Sequence, residues 1–137
     1  MTSMPCPCGS TLALAACCGR WHAGASAPTA EQLMRSRYAA FVLLDAPYLL
    51  RTWHVSTRPA SVSFEPGLKW LGLKVVSART VDADRAEVEF IARYRVGGAS
   101  AGRHHERSRF VCEGGEWFYV DGSACGAGFS RPSEKSG

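Results

Sequence analysis

Four cysteines lie within thirteen residues near the start of the chain, and their spacing is typical of a metal site. A Cys-Pro-Cys-Gly-Ser run contains Cys6 and Cys8, and the adjacent Cys17 and Cys18 follow with eight residues between Cys8 and Cys17. Two cysteines one residue apart can reach one metal ion from a tight turn, and thiolates suit the tetrahedral coordination of zinc. Clustered cysteines in a cytosolic chain are metal ligands more often than disulfides. The spacing therefore predicts a zinc knuckle held by these four side chains.

Two alternatives for the knuckle stay open at this point. His22 could be the fourth ligand in place of Cys18, and Cys17 with Cys18 could instead form a redox pair. A segment of about 25 residues has too little apolar surface to fold unaided, so binding of the metal and folding of the knuckle should be one event. The other cysteines, Cys112 and Cys125, are interpreted as a small buried residue and a loop thiol.

A second group of polar residues is predicted to share the inner face of a strand with an aromatic ring. Residues two apart in a strand point to the same side, so an inward Phe110 brings Ser108, Glu106 and His104 with it. The Gly114-Gly115 dipeptide predicts a two-residue hairpin turn after this strand. Regular pairing from that turn sets three pairs opposite each other: Cys112 and Trp117, Phe110 and Tyr119, Ser108 and Asp121.

Inward carboxylates on a mostly apolar face are costly unless they are paired or used, which leaves two interpretations. In the structural one, Glu106 pairs with an arginine such as Arg37 or Arg58, and His54 caps a helix end. In the functional one, Glu106 or Asp121 is the base of a small-molecule or proton-transfer site, with His54 nearby. The candidate pocket residues are His54, Arg58, His104, Glu106, Ser108 and Asp121.

Two helices are predicted ahead of the strands that carry these residues. Thr29 and Gln32 form a Thr-x-x-Gln capping box, and apolar residues then recur at helical spacing. Asp45 and Pro47 mark the start of a second, short helix. The pattern lapses over residues 54–67, which are predicted to form a loop.

The chain then changes to the two-residue alternation of β-strands. Apolar residues alternate from Leu71 to Val75, a turn follows at Asp82-Ala-Asp84, and a second alternating run extends from Ala86 to Val96. Two more strands, 103–112 and 116–121, flank the Gly-Gly turn. Helices followed by an antiparallel meander of about four strands predict an α+β domain, with the helices packed on one face of a curved sheet.

Charge and hydropathy bear on the compartment and the partners. The formal charge is +4 at neutral pH, and Glu87 and Glu89 lie among the arginines of the predicted strands. We interpret these strands as a solvated sheet face and expect nucleic-acid binding to be weak at most. No apolar run approaches the ~20 residues of a membrane span, and the first residues do not resemble a secretory signal. We therefore expect a cytoplasmic protein that does not bind membranes.

The knuckle resembles a known zinc motif. The run Cys6-Pro-Cys-Gly-Ser10 with Cys17-Cys-Gly19 is similar to the SEC-C motif, found in the tail of the SecA translocation ATPase and in many small bacterial proteins. The resemblance implies that the metal ligands are the four cysteines, the last of which is often His in SecA. Residues 11–16 depart from the motif, which commonly has lysines and a tyrosine here. The basic surface that implies chaperone or ribosome binding is therefore absent.

The rest of the chain resembles the YchJ-like family. The similarity rests on these segments: Leu33–Tyr38, Thr52–His54, Ser56–Arg58, Trp70–Leu73 and Glu106–Phe110. It implies a cone-shaped, cystatin-like α+β domain similar to nuclear transport factor and the ketosteroid isomerases, a fold that serves enzymes and binding modules alike. We divide the chain into a zinc knuckle at residues 1–26, a cone domain at 27–126 and a flexible tail at 127–137.

Three functions are compatible with these observations. The primary hypothesis is a non-enzymatic adaptor, in which the knuckle tethers the cone to a protein or ribonucleoprotein partner. The second is a small-molecule-binding protein or enzyme that uses the cone pocket, and the third is a weak RNA or ribosome binder. A cavity of a few hundred Å³ that ends at Glu106 would favour the second. A shallow cavity filled by Trp70 and Trp117 would favour the first.

Overall fold

Helices lie on one face of a four-stranded antiparallel sheet in the computed structural model, which describes residues 4–125. The elements in chain order are a 3-10 turn at Leu14–Ala16, α1 at Cys18–His22, α2 at Ala30–Leu43, α3 at Ala46–Arg51, β1 at Leu68–Asp82, β2 at Arg85–Val96, β3 at Gly102–Glu113 and β4 at Glu116–Ala124. The predicted α+β class is confirmed. Within residues 4–125, no helix combines the length and apolar character needed to cross a bilayer.

Both predicted helix starts are confirmed by their caps. The Thr29 hydroxyl accepts a hydrogen bond of 3.1 Å from the backbone N–H of Gln32. The Asp45 carboxylate accepts one of 3.2 Å from the backbone N–H of Tyr48. Each cap satisfies a backbone donor that the first helical turn would otherwise leave without a partner.

The sheet is a meander in which each strand pairs with the next, in the order β1-β2-β3-β4. The turn between β1 and β2 falls at Asp82–Arg85, and the turn between β3 and β4 falls at Gly114-Gly115. Both glycines have positive φ, 59° and 81°, which is the conformation that a tight hairpin turn of this kind requires. Local turn chemistry therefore fixes both hairpins.

A bulge in the β3–β4 ladder makes part of the predicted register wrong. Phe110 lies opposite Tyr119 as expected, but the register then shifts, so Arg109 faces Asp121 and Ser108 faces Gly122. An extra residue on one strand moves the residues beyond it to the other face. Asp121 therefore lies on the outer face of the sheet, where its carboxylate binds Arg109 Nε at 2.6 Å.

The knuckle and the helices share one hydrophobic core. The buried cluster contains the four cysteines and Trp21 together with the inner side of α2, the buried part of α3 and Phe110 of β3. The boundary that we place after residue 26 stays a prediction, yet packing is continuous across it. The predicted tail at 127–137 lies outside the described residues.

Candidate metal centre and ligand cavity

Four thiols converge at the N-terminal end of the structure. The Sγ atoms of Cys6, Cys8, Cys17 and Cys18 all lie within 4.8 Å of one another, and all four residues are buried. Cys17 Sγ is 3.7 Å from that of Cys8 and 4.0 Å from that of Cys18. Metal–sulfur bonds of ~2.3 Å at tetrahedral angles place sulfur atoms about 3.8 Å apart. The cluster therefore fits one tetrahedral metal ion.

The electrostatics of the cluster also suit a cation. Hydrogen bonding from Cys18 lowers the pKa of the Cys8 thiol to about 4, while the same contact raises the pKa of Cys18 and burial raises that of Cys6. Several thiolates cannot share this buried space unless a cation balances their charge. Ser10 Oγ lies 3.0 Å from Cys17 Sγ, so the serine of the motif contacts a sulfur from outside the cluster.

His22 does not reach the four thiols. Its Nε2 lies 2.8 Å from the backbone carbonyl oxygen of Ser36, and its ring packs edge-on against Tyr48. His22, the last residue of α1, therefore contacts α2 and α3 and does not face the thiols. Cys17 and Cys18 are buried, whereas cysteines that react in redox chemistry are partly exposed, so the geometry also argues against a redox pair.

The knuckle is attached to the helices by polar contacts as well as by packing. Arg35 of α2 donates to the backbone carbonyl of Cys8 at 3.2 Å, and Arg51 of α3 donates to that of Trp21 at 3.1 Å. The Trp21 ring is buried, with the Arg20 guanidinium 4.4 Å above it. These contacts make the knuckle part of the tertiary structure.

A cavity of about 340 Å³ lies between the helices and the inner face of the sheet. Its walls are mostly apolar, with aromatic rings supplied by Phe41, Phe64, Trp70, Phe90 and Phe110. Trp70 packs edge-on against Tyr38 at the side of this space and does not fill it. The volume is within the range of small-molecule sites, roughly 300–1,000 Å³.

Glu106 forms the polar end of the cavity. The residue is 4% exposed, and its carboxylate lies 2.8 Å from His104 Nε2, 2.7 Å from the Ser108 hydroxyl and 3.4 Å from the Tyr119 hydroxyl. Arg37 also lines the cavity, and its guanidinium lies over the Tyr119 ring at 4.5 Å. The strand alternation of the sequence correctly places His104, Glu106 and Ser108 together.

Three predicted pocket residues lie elsewhere. His54 Nε2 lies 3.0 Å from a Glu113 carboxylate oxygen and its Nδ1 lies 2.7 Å from Ser56 Oγ, so this side chain caps no helix. Arg58 is exposed and donates to the carbonyl of Trp53 at 2.9 Å. Asp121 lies on the outer face because of the bulge. The loop that holds His54 and Arg58 therefore does not close over Glu106 as expected.

Sequence reasoning missed Gly122, which makes room for the Glu106 side chain. A Cβ atom at this position would overlap the Glu106 carboxylate, so any larger residue would displace it. Gly122 faces Ser108 only because of the bulge, and regular pairing would have brought Asp121 there. The signal in the sequence is a glycine within an otherwise regular strand, which is typical of a bulge or a close approach.

Comparisons with known proteins agree with this architecture. The family model of the YchJ middle NTF2-like domain matches residues 29–122. A UPF0225 protein of a Polaromonas species is 58% identical over 126 residues, which are 85% of this chain and 91% of that protein. One from Cupriavidus metallidurans is 57% identical over 125 residues, 86% and 87% of the two chains.

A solved structure extends the similarity to the knuckle. The solution structure of a SEC-C motif containing protein from Rhodopseudomonas palustris has a TM-score of 0.78 and 36% sequence identity. The alignment covers 90% of this chain and all of the other. This chain therefore belongs to the YchJ-like UPF0225 family, and it carries an NTF2-like domain.

Proposed function

We propose that this protein is a cytoplasmic small-molecule-binding protein whose fold is stabilised by zinc. One observation supports binding above the adaptor role: a cavity of about 340 Å³ with aromatic walls ends at the buried carboxylate of Glu106. A few fixed polar groups at the end of an apolar space are what small-molecule sites have in common. The adaptor hypothesis would require a cavity filled by residues such as Trp70. Trp70 instead lines the space and leaves it open.

The chemistry of the polar end indicates the kind of ligand. A carboxylate only accepts hydrogen bonds, so the ligand group that reaches Glu106 should be a donor such as a hydroxyl or an amine. Arg37 has fewer N–H groups available to bind a ligand anion, because its Nη1 already donates at 2.8 Å to Leu49 O and to Thr52 Oγ1. Hydrogen bonds from neighbouring side chains stabilise Glu106 as an acceptor and make it a weak base. We therefore propose that Glu106 binds the ligand without taking a proton from it.

Matched aromatic probes test this proposal. We expect 2-naphthol, which has a donor hydroxyl, to bind the purified chain at least ten-fold more tightly than 2-naphthoate, measured by ligand-observed NMR. Ala92 is buried in the cavity wall, and Ala92→Leu should weaken naphthol binding about ten-fold because it fills part of the space. The control Ala101→Leu is at an exposed loop position and should bind as the wild type does. Equal binding by all three proteins, or preference for naphthoate, would contradict the proposal.

We propose zinc as the metal that the four-thiol cluster holds. Closed sites with four cysteine ligands are structural zinc sites, in which the metal leaves no open position for a substrate. Bound there, zinc would supply a cross-link between two chain segments that have little core of their own. The residues that would hold it are the four cysteines of the SEC-C motif.

Two substitutions separate the possible ligand sets. Cys18→Ser should lose the zinc held by the four-thiol cluster, because it removes one of four converging ligand atoms. His22→Ala should keep it, because this side chain faces the Ser36 carbonyl. Elemental analysis of protein purified under reducing, chelator-free conditions measures both. Retention of zinc by Cys18→Ser with loss in His22→Ala would assign the fourth ligand to His22, and absence of zinc from the wild type would reject the site.

The adaptor role remains the second candidate, and the surface of the knuckle favours it. Met4 and Leu12 are each 50% exposed, and they lie on segments joined by backbone hydrogen bonds from Cys6 to Leu12 and from Leu14 to Met4. Large exposed apolar side chains on a small motif can anchor a protein partner. Affinity capture from the native host, repeated after chelation, would separate a partner held through the folded knuckle from incidental binding.

A further inference from the structure

Three metal-ligating side chains meet on the outer face of the sheet, away from the helices and the knuckle. The ligand atoms of Glu89, His105 and Cys125 all lie within 4.8 Å of one another, and each residue is half-buried. Glu89 Oε2 is 2.7 Å from His105 Nε2. The three residues come from three successive parts of the meander, β2, β3 and the residue after β4.

The register of the sheet creates this arrangement. Cys125 donates its backbone N–H to the carbonyl of His105 at 2.9 Å, so the pairing of β4 continues past Ala124 and sets the two side chains next to each other. Regular pairing from the Gly-Gly turn would have set Cys125 opposite His104 on the inner face. The bulge that moves Asp121 outward also brings the Cys125 thiol to the outer face.

The surroundings prepare Glu89 to act as a ligand. Its Oε1 accepts a hydrogen bond of 3.2 Å from Arg107, which fixes the carboxylate while Oε2 points to His105. A partner that holds the far oxygen of a ligating carboxylate is a common support of metal sites.

We propose that Glu89, His105 and Cys125 form a second metal site, for a divalent ion of the zinc class. One carboxylate oxygen, one imidazole nitrogen and one thiolate are a ligand set that zinc and cobalt accept. Three protein ligands leave one tetrahedral position to water, and the half-exposed site gives solvent access to it. Binding would displace the thiol proton of Cys125, and His105 would bind as a neutral imidazole with its ring proton on the other nitrogen. This site has an open coordination position, in contrast to the closed four-thiol cluster.

The experiment counts metal ions on the full chain. Protein is equilibrated with excess Zn²⁺, or with Co²⁺ for its thiolate charge-transfer absorption, and free metal is removed in a weak metal buffer. We expect two ions per chain for the wild type and one for Cys125→Ser and for His105→Ala. Cys112→Ser is the matched control, because this thiol is also half-buried in the sheet and lies outside the group, and it should keep two.

The number of bound metal ions tests the second site separately from the knuckle. In Cys18→Ser the second site should still bind one ion and show a single-thiolate cobalt spectrum, because the two sites share no residue. Thermal melts of the metal-free variants verify folding, and each surface substitution should change the melting temperature by only a few degrees. One ion per wild-type chain, or two in folded Cys125→Ser, would overturn the proposal.

Discussion

Glu106→Ala is expected to lower the free energy of unfolding by about 3–5 kcal/mol. The carboxylate is buried, and it accepts short hydrogen bonds from Ser108 and from the ring of His104. Truncation would leave those donors without this acceptor at a buried position, since His104 and Ser108 are buried as well. Glu106→Gln should cost less, because it keeps the volume and one acceptor oxygen.

Thermal or denaturant melts of both variants measure this effect. Glu113→Ala is the matched control, since this glutamate is on the same strand but its side chain is 59% exposed. The Glu113 carboxylate is largely in water, so its removal should cost at most about 1 kcal/mol. A near-neutral or stabilising Glu106→Ala would show instead that the carboxylate is held at a cost to stability, as groups kept for function often are.

Removal of the zinc that we propose should lower the melting temperature of the whole chain by roughly 10–20 °C. The sequence predicts loss of order in the knuckle only, because the main domain has its own core. The structure adds that Trp21 and the cysteines belong to the same buried cluster as α2. Exposing a buried tryptophan and its neighbours to water would cost about 4 kcal/mol of stabilisation. The helices α2 and α3 pack against the same residues, so they would be destabilised as well.

Hydrogen exchange with and without chelator distinguishes local from shared unfolding. Amides of α2 near Arg35 and of α3 near Arg51 should lose protection when the metal is removed, because both arginines donate to knuckle carbonyls. Amides at the Asp82–Arg85 turn take part in no hydrogen bond with residues 4–26 and are the internal control. Loss of protection confined to residues before Thr29 would show that the knuckle unfolds alone.

Local chemistry predicted most of the secondary structure. The caps at Thr29 and Asp45 depend on residues three positions apart, and the hairpin depends on two adjacent glycines, so each is specified within a few residues. The shared face of His104, Glu106 and Ser108 follows from the two-residue period of a strand. The cysteine spacing likewise indicates a four-ligand site without reference to the fold.

Properties that depend on pairing between strands and on packing between segments were decided only by the tertiary structure. One bulge changes which face every later residue of β4 occupies, so it moved Asp121 outward, brought Gly122 to Glu106 and set Cys125 beside His105. His54 and Arg58 follow a loop whose path depends on contacts with β4 and Trp53, which no local pattern encodes. The sequence by itself therefore determined the elements and the thiol cluster, while long-range register and packing determined the composition of the cavity, the outer-face ligands and the attachment of the knuckle.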